Sequence, residues 1–189
     1  MTHRLLAISG ALRRESTNTR LAAEALRLYG PKEAVWADLR LPLYDGDLEA
    51  AEGLPEGART LIERIRRADA IVISTPEYNK NLPGVLKNAL DWVSRDKPMA
   101  FDGKPVAIMS AAAGRAGGER SQFSLRHCLT AFNPRILQGP EVTIARSSEA
   151  FDADGRLTDP RSVEMLQALM TALREEVDLV RARQAAKAA

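Results

Sequence analysis

Residues 68–95 read ADAIVISTPEYNKNLPGVLKNALDWVSR and pass from strand to turn to helix within a few positions. Positions 70–74, AIVIS, are apolar on both faces of any strand they form, which is typical of a strand buried in a parallel sheet. A helical pattern begins just after Pro83, where the fixed backbone angle of proline suits the first turn of a helix. A buried strand that leads directly into a helix favours an α/β fold.

The same alternation of apolar runs and helical patterns continues along the chain. Right-handed crossovers between such strands predict a doubly wound, five-stranded parallel sheet with helices on both faces. Such sheets bind ligands beyond the carboxyl ends of their strands, so the loops at residues 9–18, 75–83 and 111–119 should form one site. The predicted strands are Arg4–Ser9, Ala34–Asp38, Ala70–Ser74, Lys104–Ala113 and a broken fifth strand over residues 136–145.

Two further segments have distinct patterns. Residues 41–57, LPLYDGDLEAAEGLPEG, are polar and rich in turn residues, so we expect a surface excursion. From about Arg161 a helical stripe favours docking of a last helix onto the sheet, and a coiled-coil seam with a partner is the alternative. We expect residues 181–189 to be a solvated, fraying end. The stripe consists of Val163, Leu166, Met170, Leu173, Val177 and Val180.

The composition narrows the classes of function. The 189 residues suit a single domain, and the 27 basic and 25 acidic residues are interspersed, which argues against a nucleic-acid partner. No apolar stretch approaches the roughly 18 residues of a membrane span. A single cysteine, Cys128, excludes an internal disulfide framework and fits the reducing cytoplasm. Because His3 and His127 are the two histidines, we expect no zinc site of cysteine and histidine ligands.

The first loop, SGALRRESTN, offers donors for an anion. It has neither the GxGxxG pattern of dinucleotide-binding folds nor a Walker lysine, so hydrolysis of nucleoside triphosphates is not expected. Hydroxyl and amide groups, a fork-shaped cation and a helix start lie together, and this set suits one terminal monophosphate. A helix cap with solvated arginines explains the same residues equally well. The residues are Ser9, Arg13, Ser16, Thr17 and Asn18.

The second and third loops suit a flat polar ring. Pro76 makes the turn rigid, and a carboxylate, an aromatic face and an amide follow in Glu77, Tyr78 and Asn79. In the third loop, AAAGRAGG, the small side chains let the backbone approach a ligand closely. Taken singly, each feature also fits an ordinary role as a packing aromatic, a surface carboxylate or a turn that needs glycine.

Three motifs in this order resemble those of the flavodoxin-like NAD(P)H-dependent FMN reductases, the family of chromate, quinone, azo-dye and ferric reductases. They are GALRRESTN, TPEYNKNLPGVLKNALDWVSR and AGRAGGERSQFSLR, and the similarity spans about residues 4–180. The bacterial ferric and quinone reductases are the most similar members. The resemblance implies the strand order 2-1-3-4-5, FMN rather than FAD as cofactor, and NADH or NADPH as electron donor.

The resemblance also implies roles for individual residues. The first loop would bind the FMN phosphate, the second would edge the isoalloxazine, and the third would line the other side of the ring. Arg95 is a candidate contact of the flavin or the nicotinamide nucleotide, and a cation that closes a helix is the alternative. No catalytic side chain is expected, because the cofactor carries the chemistry. The candidate cofactor-binding residues are Ser9, Arg13, Ser16, Thr17, Asn18, Pro76, Glu77, Tyr78, Asn79, Ser110, Ala111 and Gly114.

The implied activity is a two-electron, ping-pong reduction. NAD(P)H would pass a hydride to FMN N5 and leave, and a small-molecule acceptor would then enter the same place. Quinones are the expected acceptors, with ferric complexes, chromate or azo dyes reduced more slowly. The alternatives are a flavodoxin-type electron carrier and a non-enzymatic FMN-binding sensor. Carriers of the first kind are usually strongly acidic, whereas the net charge here is +2.

A homodimer or tetramer is also implied, because members of the family pair beside their flavin sites. The pattern of the helix from Pro83 to Arg95 places Trp92 away from the apolar face. An aromatic left outside that face would be available to an interface, where such side chains are enriched. Packing of the indole under a neighbouring loop is the alternative.

Overall fold

Six parallel strands form one sheet through the centre of the protein. The computed structural model describes residues 3–188. The first five strands lie in the order β2-β1-β3-β4-β5, which confirms the predicted order, and the sixth pairs with β4. The strands are β1 Arg4–Ser9, β2 Glu33–Trp36, β3 Ala70–Thr75, β4 Pro105–Ala111, β5 Arg135–Ile136 and β6 Val142–Ile144.

The predicted broken fifth strand is confirmed, because β5 and β6 share one side of β4. Strand β5 pairs with Pro105 and Val106 at the start of β4, and β6 pairs with positions 109–111 at its end. Between them the chain leaves the sheet at residues 138–141. Pro140 lies in this segment, and proline cannot donate a hydrogen bond to a strand ladder.

The helices cover both faces of the sheet, as predicted. Alternate residues of β1 enter different cores: Leu6 and Ile8 pack against the helices of one face, whereas Leu5 and Ala7 pack against those of the other. A short 3-10 turn over residues 130–132 follows α5. The helices are α1 Thr17–Tyr29, α2 Gly46–Glu52, α3 Glu56–Arg67, α4 Gly84–Val93, α5 Glu119–Leu129 and α6 Pro160–Ala188.

Helix α6 docks onto the sheet, which confirms that prediction. Leu166, Leu173 and Val177 are buried in the core that α6 shares with α1. The helix continues to Ala188, so the described part of residues 181–189 is helical rather than frayed. The side chains of residues 182–187 are exposed, as predicted, and residue 189 lies outside the described residues. No helix in the described part of the chain is both long and apolar enough to cross a membrane.

Trp92 corrects the interface prediction made from the helix pattern. The indole is fully buried, and its Nε1 donates to the carbonyl of Pro42 at 2.8 Å. The ring of Tyr44 meets it edge-on, with centroids 5.0 Å apart, and Asn88 bonds to both Pro42 and Tyr44. The predicted surface excursion therefore folds back onto α4, and it also contains the helix α2. Trp92 packs under this loop and is not available to an interface.

Candidate functional site

A cleft of about 500 Å³ opens at the carboxyl edge of the sheet, where the loops after β1, β3 and β4 meet. Its volume lies within the range of about 300–1,000 Å³ that is common for ligand sites. A larger groove of about 800 Å³ runs along β5, away from these loops. Of the predicted residues, the cleft is lined by Arg13, Ser16, Thr17, Asn18, Pro76, Glu77, Tyr78 and Ala111.

The amino end of α1 faces the cleft and is capped by Ser16. The Ser16 hydroxyl accepts a hydrogen bond from the amide of Asn18 at 3.2 Å, which is the usual bond of an N-cap. The amino end of a helix carries a partial positive charge and free amide donors. Arg13, just before this helix, and Arg20, in its first turns, also line the cleft. This end of the cleft therefore suits an anion.

Asn18 also joins the first loop to the sheet. Its Oδ1 accepts from the amide of Ala111 at 3.0 Å and from the hydroxyl of Ser74 at 2.9 Å. Its Nδ2 donates to the Ala111 carbonyl at 2.8 Å. The residue is buried, so these bonds satisfy a side chain that would be costly to leave unpaired. Asn18 thus fixes the distance between the amino end of α1 and the carboxyl end of β4.

The other two hydroxyls of the first loop already bond to neighbouring side chains. The Ser9 hydroxyl accepts from the Thr19 hydroxyl at 2.9 Å and lies outside the cleft lining. The Thr17 hydroxyl donates to the hydroxyl of Ser147 at 3.1 Å, and both residues line the cleft. Thr17 therefore connects the first loop to the chain that follows β6.

The second loop is a tight hairpin that displays an aromatic ring. Tyr78 and Asn81 exchange two backbone hydrogen bonds of 3.0 and 3.1 Å. Asn79 and Lys80, between them, both have positive φ, at 50° and 66°. Two positive φ values in a two-residue loop are those of a type I′ turn. The turn leaves the Tyr78 side chain 52% exposed at the cleft rim and carries Asn79 outside the lining.

Glu77 links the second loop to helix α5. Its carboxylate accepts hydrogen bonds from the backbone amide of Arg120 at 3.2 Å and from the Arg120 guanidinium at 3.4 Å. The side chain is only 14% exposed. Glu77 therefore satisfies an otherwise unpaired amide in the first turn of α5.

The start of the third loop, residues 111–113, lines the cleft, whereas Ser110 and Gly114 lie outside the lining. The Ser110 hydroxyl donates to the carbonyl of Gly117 at 2.8 Å and accepts from Gln122 at 2.9 Å. Gly118 has a φ of 95°, and a Cβ there would lie 2.9 Å from the Ser110 Cβ. Ser110 is thus buried under the loop. Gly114, where an added Cβ would meet no atom within 4 Å, lies outside the lining.

Arg95 lies away from the cleft lining. Its guanidinium pairs with Glu49 at 2.9 Å and covers the ring of Tyr44 at 5.7 Å. The hydrogen bond from Arg95 holds the pKa of the Glu49 carboxyl below its usual value. These contacts attach α2 to the end of α4.

A fourth segment, the chain after β6, completes the cleft and was missed by the sequence interpretation. Ser147 is buried, its amide donates to the Ala112 carbonyl at 3.1 Å, and Ser148 follows it in the lining. Two serines directly after the broken fifth strand were the available signal, because that strand also ends at the carboxyl edge. The lining also contains Glu15, Ala112 and Ala113, which lie in the predicted loops but were not among the candidate residues, and Arg20, which lies beyond the first loop.

The donor set fits FMN. A helix amino end and two arginines at one end of the cleft suit a phosphate, while Tyr78 and the small residues Ala112 and Ala113 leave room for a flat ring. Within residues 3–188 no cluster of three histidine, cysteine, aspartate or glutamate side chains is placed to hold a metal.

Comparison with known proteins gives a consistent result. A family model described as NADPH-dependent FMN reductase matches residues 3–149. An NAD(P)H-dependent FMN reductase of Pseudomonas aeruginosa is 44% identical over 172 residues, which cover 90% of this chain and 92% of that protein. A quinone reductase of Escherichia coli K12 is 36% identical over 184 residues, with 94% and 96% covered. The solved structure of FerB, a flavoenzyme NAD(P)H:(acceptor) oxidoreductase from Paracoccus denitrificans, has a TM-score of 0.84 at 31% identity, with 94% and 98% covered.

Proposed function

The chain belongs to the NADPH-dependent FMN reductase family, and from this we propose that it is a two-electron reductase of quinones. It is an oxidoreductase that uses FMN with NAD(P)H as electron donor. Quinones are the first choice of acceptor, since relatives with 36% identity are named quinone reductases. We propose that ferric complexes, chromate and azo compounds are reduced more slowly at the same place.

The protein's part in this reaction is to bind and orient. Bound FMN supplies the redox chemistry, taking two electrons from NAD(P)H and giving them to an acceptor. Arg13, Ser16 and the amino end of α1 would hold the phosphate, and Thr17 would shape this end through its bond to Ser147. Asn18 would keep that end at a fixed distance from β4.

The ring would lie between the second and third loops. Pro76, Glu77, Tyr78 and Asn79 form the turn that would edge it, and Ala111 would lie on the opposite side. In this proposal Ser110 and Gly114 do not contact FMN directly but set the shape of the third loop. Ser9 does the same for the first loop. Arg95 would likewise act indirectly, by holding α2 in place through its pair with Glu49.

One observation supports the proposal that NAD(P)H and the acceptor occupy the same part of the cleft in turn. The rim of the cleft presents the exposed Tyr78 ring on one side and the small residues Ala112 and Ala113 on another. An open, shallow rim offers the donor and the acceptor the same place, so we propose that one leaves before the other enters. Small or flat acceptors of different kinds would fit with little discrimination.

Steady-state kinetics with NADH or NADPH and a benzoquinone test this scheme. Parallel lines in double-reciprocal plots are the expected result, and intersecting lines would show a ternary complex instead. Obligatory one-electron products would indicate an electron carrier, and FMN binding without turnover would indicate a sensor. Discrimination between NADH and NADPH should be modest, because no acidic residue of the cleft corresponds to a ribose-binding carboxylate after a GxGxxG loop.

We also propose that the active form is a homodimer or tetramer and that residues 1–189 make up one FMN-binding domain. The location proposed is the cytoplasm, supported by Cys128 as the single cysteine. Light scattering at micromolar concentration tests the assembly, and a monomer would contradict it. Since Trp92 is buried, the interface would need to use other side chains.

A further inference from the structure

An ion pair lies inside the anion-binding end of the cleft. The Arg20 guanidinium contacts the Glu15 carboxylate at 2.8 Å, and both residues belong to the cleft lining. Arg20 stands one turn into α1, and its amide bonds to the carbonyl of the N-cap residue Ser16 at 3.1 Å. The pair therefore joins the residue before the N-cap to the first turns of α1.

The three charged side chains at this end are not equivalent. Arg13 has no hydrogen-bond or ion-pair partner within the described part of the chain, so its charge is available to a ligand. Arg20 is compensated by Glu15, whose carboxylate occupies donors that a phosphate would use. The side chains of Arg20 and Glu15 are 39% and 61% exposed, so solvent screens the pair and exchange of partners costs little.

We propose that Glu15 lowers the affinity of this site for a phosphate by holding Arg20, and so sets how strongly the protein distinguishes FMN from riboflavin. The inference rests on the proposed placement of the FMN phosphate at this end of the cleft. Riboflavin has the same ring without the phosphate, so Glu15 has no comparable effect on it. A phosphate held mainly by Arg13 and the helix amides is released more readily than one held by both arginines.

Binding of FMN and of riboflavin to the flavin-free 189-residue chain tests this inference, with quenching of flavin fluorescence as the readout. Glu15→Gln keeps the shape of the side chain and removes its charge. FMN binding should tighten about fivefold, the upper range for an exposed charge pair, and riboflavin binding should stay unchanged. The gain should shrink as salt is raised. Glu63→Gln is the matched control, because Glu63 forms a comparable exposed pair with Arg67 on α3.

A second background separates two mechanisms. If Glu15 acts by holding Arg20, Glu15→Gln should change FMN affinity less than about twofold in a chain that already carries Arg20→Gln. An equal gain in both backgrounds would show direct repulsion of the phosphate and would overturn the proposal. An equal gain for FMN and riboflavin would also overturn it, since the effect would then not concern the phosphate.

Arg13→Gln distinguishes failure of the inference from failure of the site. This change should weaken binding of FMN and leave that of riboflavin unchanged. If it does so while Glu15→Gln has no effect, the phosphate site stands and the inference is wrong. If Arg13→Gln changes neither affinity, the phosphate does not bind at this end, and both are wrong. Circular dichroism of each variant verifies that the fold is retained.

Discussion

The carboxylate of Glu77 accepts a hydrogen bond from the backbone amide of Arg120, 43 residues later in the chain, at 3.2 Å. This bond makes the turn after β3 and the first turn of α5 one unit. We expect Glu77→Ala to lower the free energy of unfolding by about 1 kcal/mol, the usual cost of a lost N-terminal cap. Urea denaturation measures it, with the exposed Glu175→Gln on α6 as control. Equal stability of the two variants would contradict a capping role.

A side chain at Gly118 should destabilise the protein. With a φ of 95° and the Ser110 Cβ 2.9 Å from an added Cβ, we expect Gly118→Ala to destabilise the protein by about 2 kcal/mol. Gly84 is the matched control, because it begins α4 with open space around it, and alanine there should be neutral or slightly stabilising. The two variants are compared by urea denaturation, and equal midpoints would argue against the close approach.

Tyr78 should affect flavin binding through its ring. Removal of an exposed aromatic wall in Tyr78→Ala should weaken FMN binding about fivefold, whereas Tyr78→Phe should bind FMN as the parent does. Fluorescence quenching of FMN measures both affinities. A loss in the phenylalanine variant as well would show that the hydroxyl, rather than the aromatic face, makes the contact.

His3 should make stability depend on pH. It is 2% exposed, and burial lowers the pKa of its imidazole below 6.5. In the neutral ring Nδ1 accepts from the Tyr29 hydroxyl, which stays protonated because burial raises its pKa to about 12. Nε2 then donates to Asp178 at 3.2 Å. Arg181, also near the ring, opposes the positive form, while Asp178 and Asp69 favour it.

The lowered pKa of His3 fixes the sign of this dependence. Between that pKa and 6.5 the unfolded chain binds more protons than the folded one, so stability is full above 6.5 and falls as pH decreases through this window. We expect His3→Gln to be less stable at neutral pH and to lose less stability on acidification. Urea denaturation at about pH 7 and about pH 5 compares the free energies of unfolding of the parent protein and the His3→Gln variant. A parallel loss in both proteins would assign the effect to the carboxylates.

The elements that sequence periodicity could predict are those whose signal is local. The apolar run of β3, the proline before α4 and the interruption at Pro140 each act within a few residues, so the sheet and its broken edge were predictable. Trp92 was not, because its partners Pro42 and Tyr44 lie in a segment that looked like a loop. Helix periodicity assigns a face to a residue but does not show what covers that face.

For the site, the position of the loops was predictable from the sequence, but the partners of their side chains were not. The topology places the ends of β1, β3 and β4 at one edge, and most of the residues named from those loops line the cleft there. Ser9, Asn79, Ser110 and Gly114 do not. What individual side chains bond to depends on distant residues: Asn18 bonds to Ala111, and Thr17 to Ser147. The hairpin between Tyr78 and Asn81 was not predicted from the sequence. Its turn residues are Asn-Lys, whereas Asn-Gly is the pair that usually marks such a turn.

The interruption between β5 and β6 also limits pairing of this sheet edge with another chain. An unbroken outer strand would present a long row of unpaired amides and carbonyls, onto which another chain could add a strand. Here the outer strand consists of β5, which is two residues long, and β6, which is three residues long. Between them the chain leaves the sheet in the segment that contains Pro140. The opposite edge, β2, is four residues long and begins with Glu33. Both borders are therefore poor templates for fibril-like growth of the sheet.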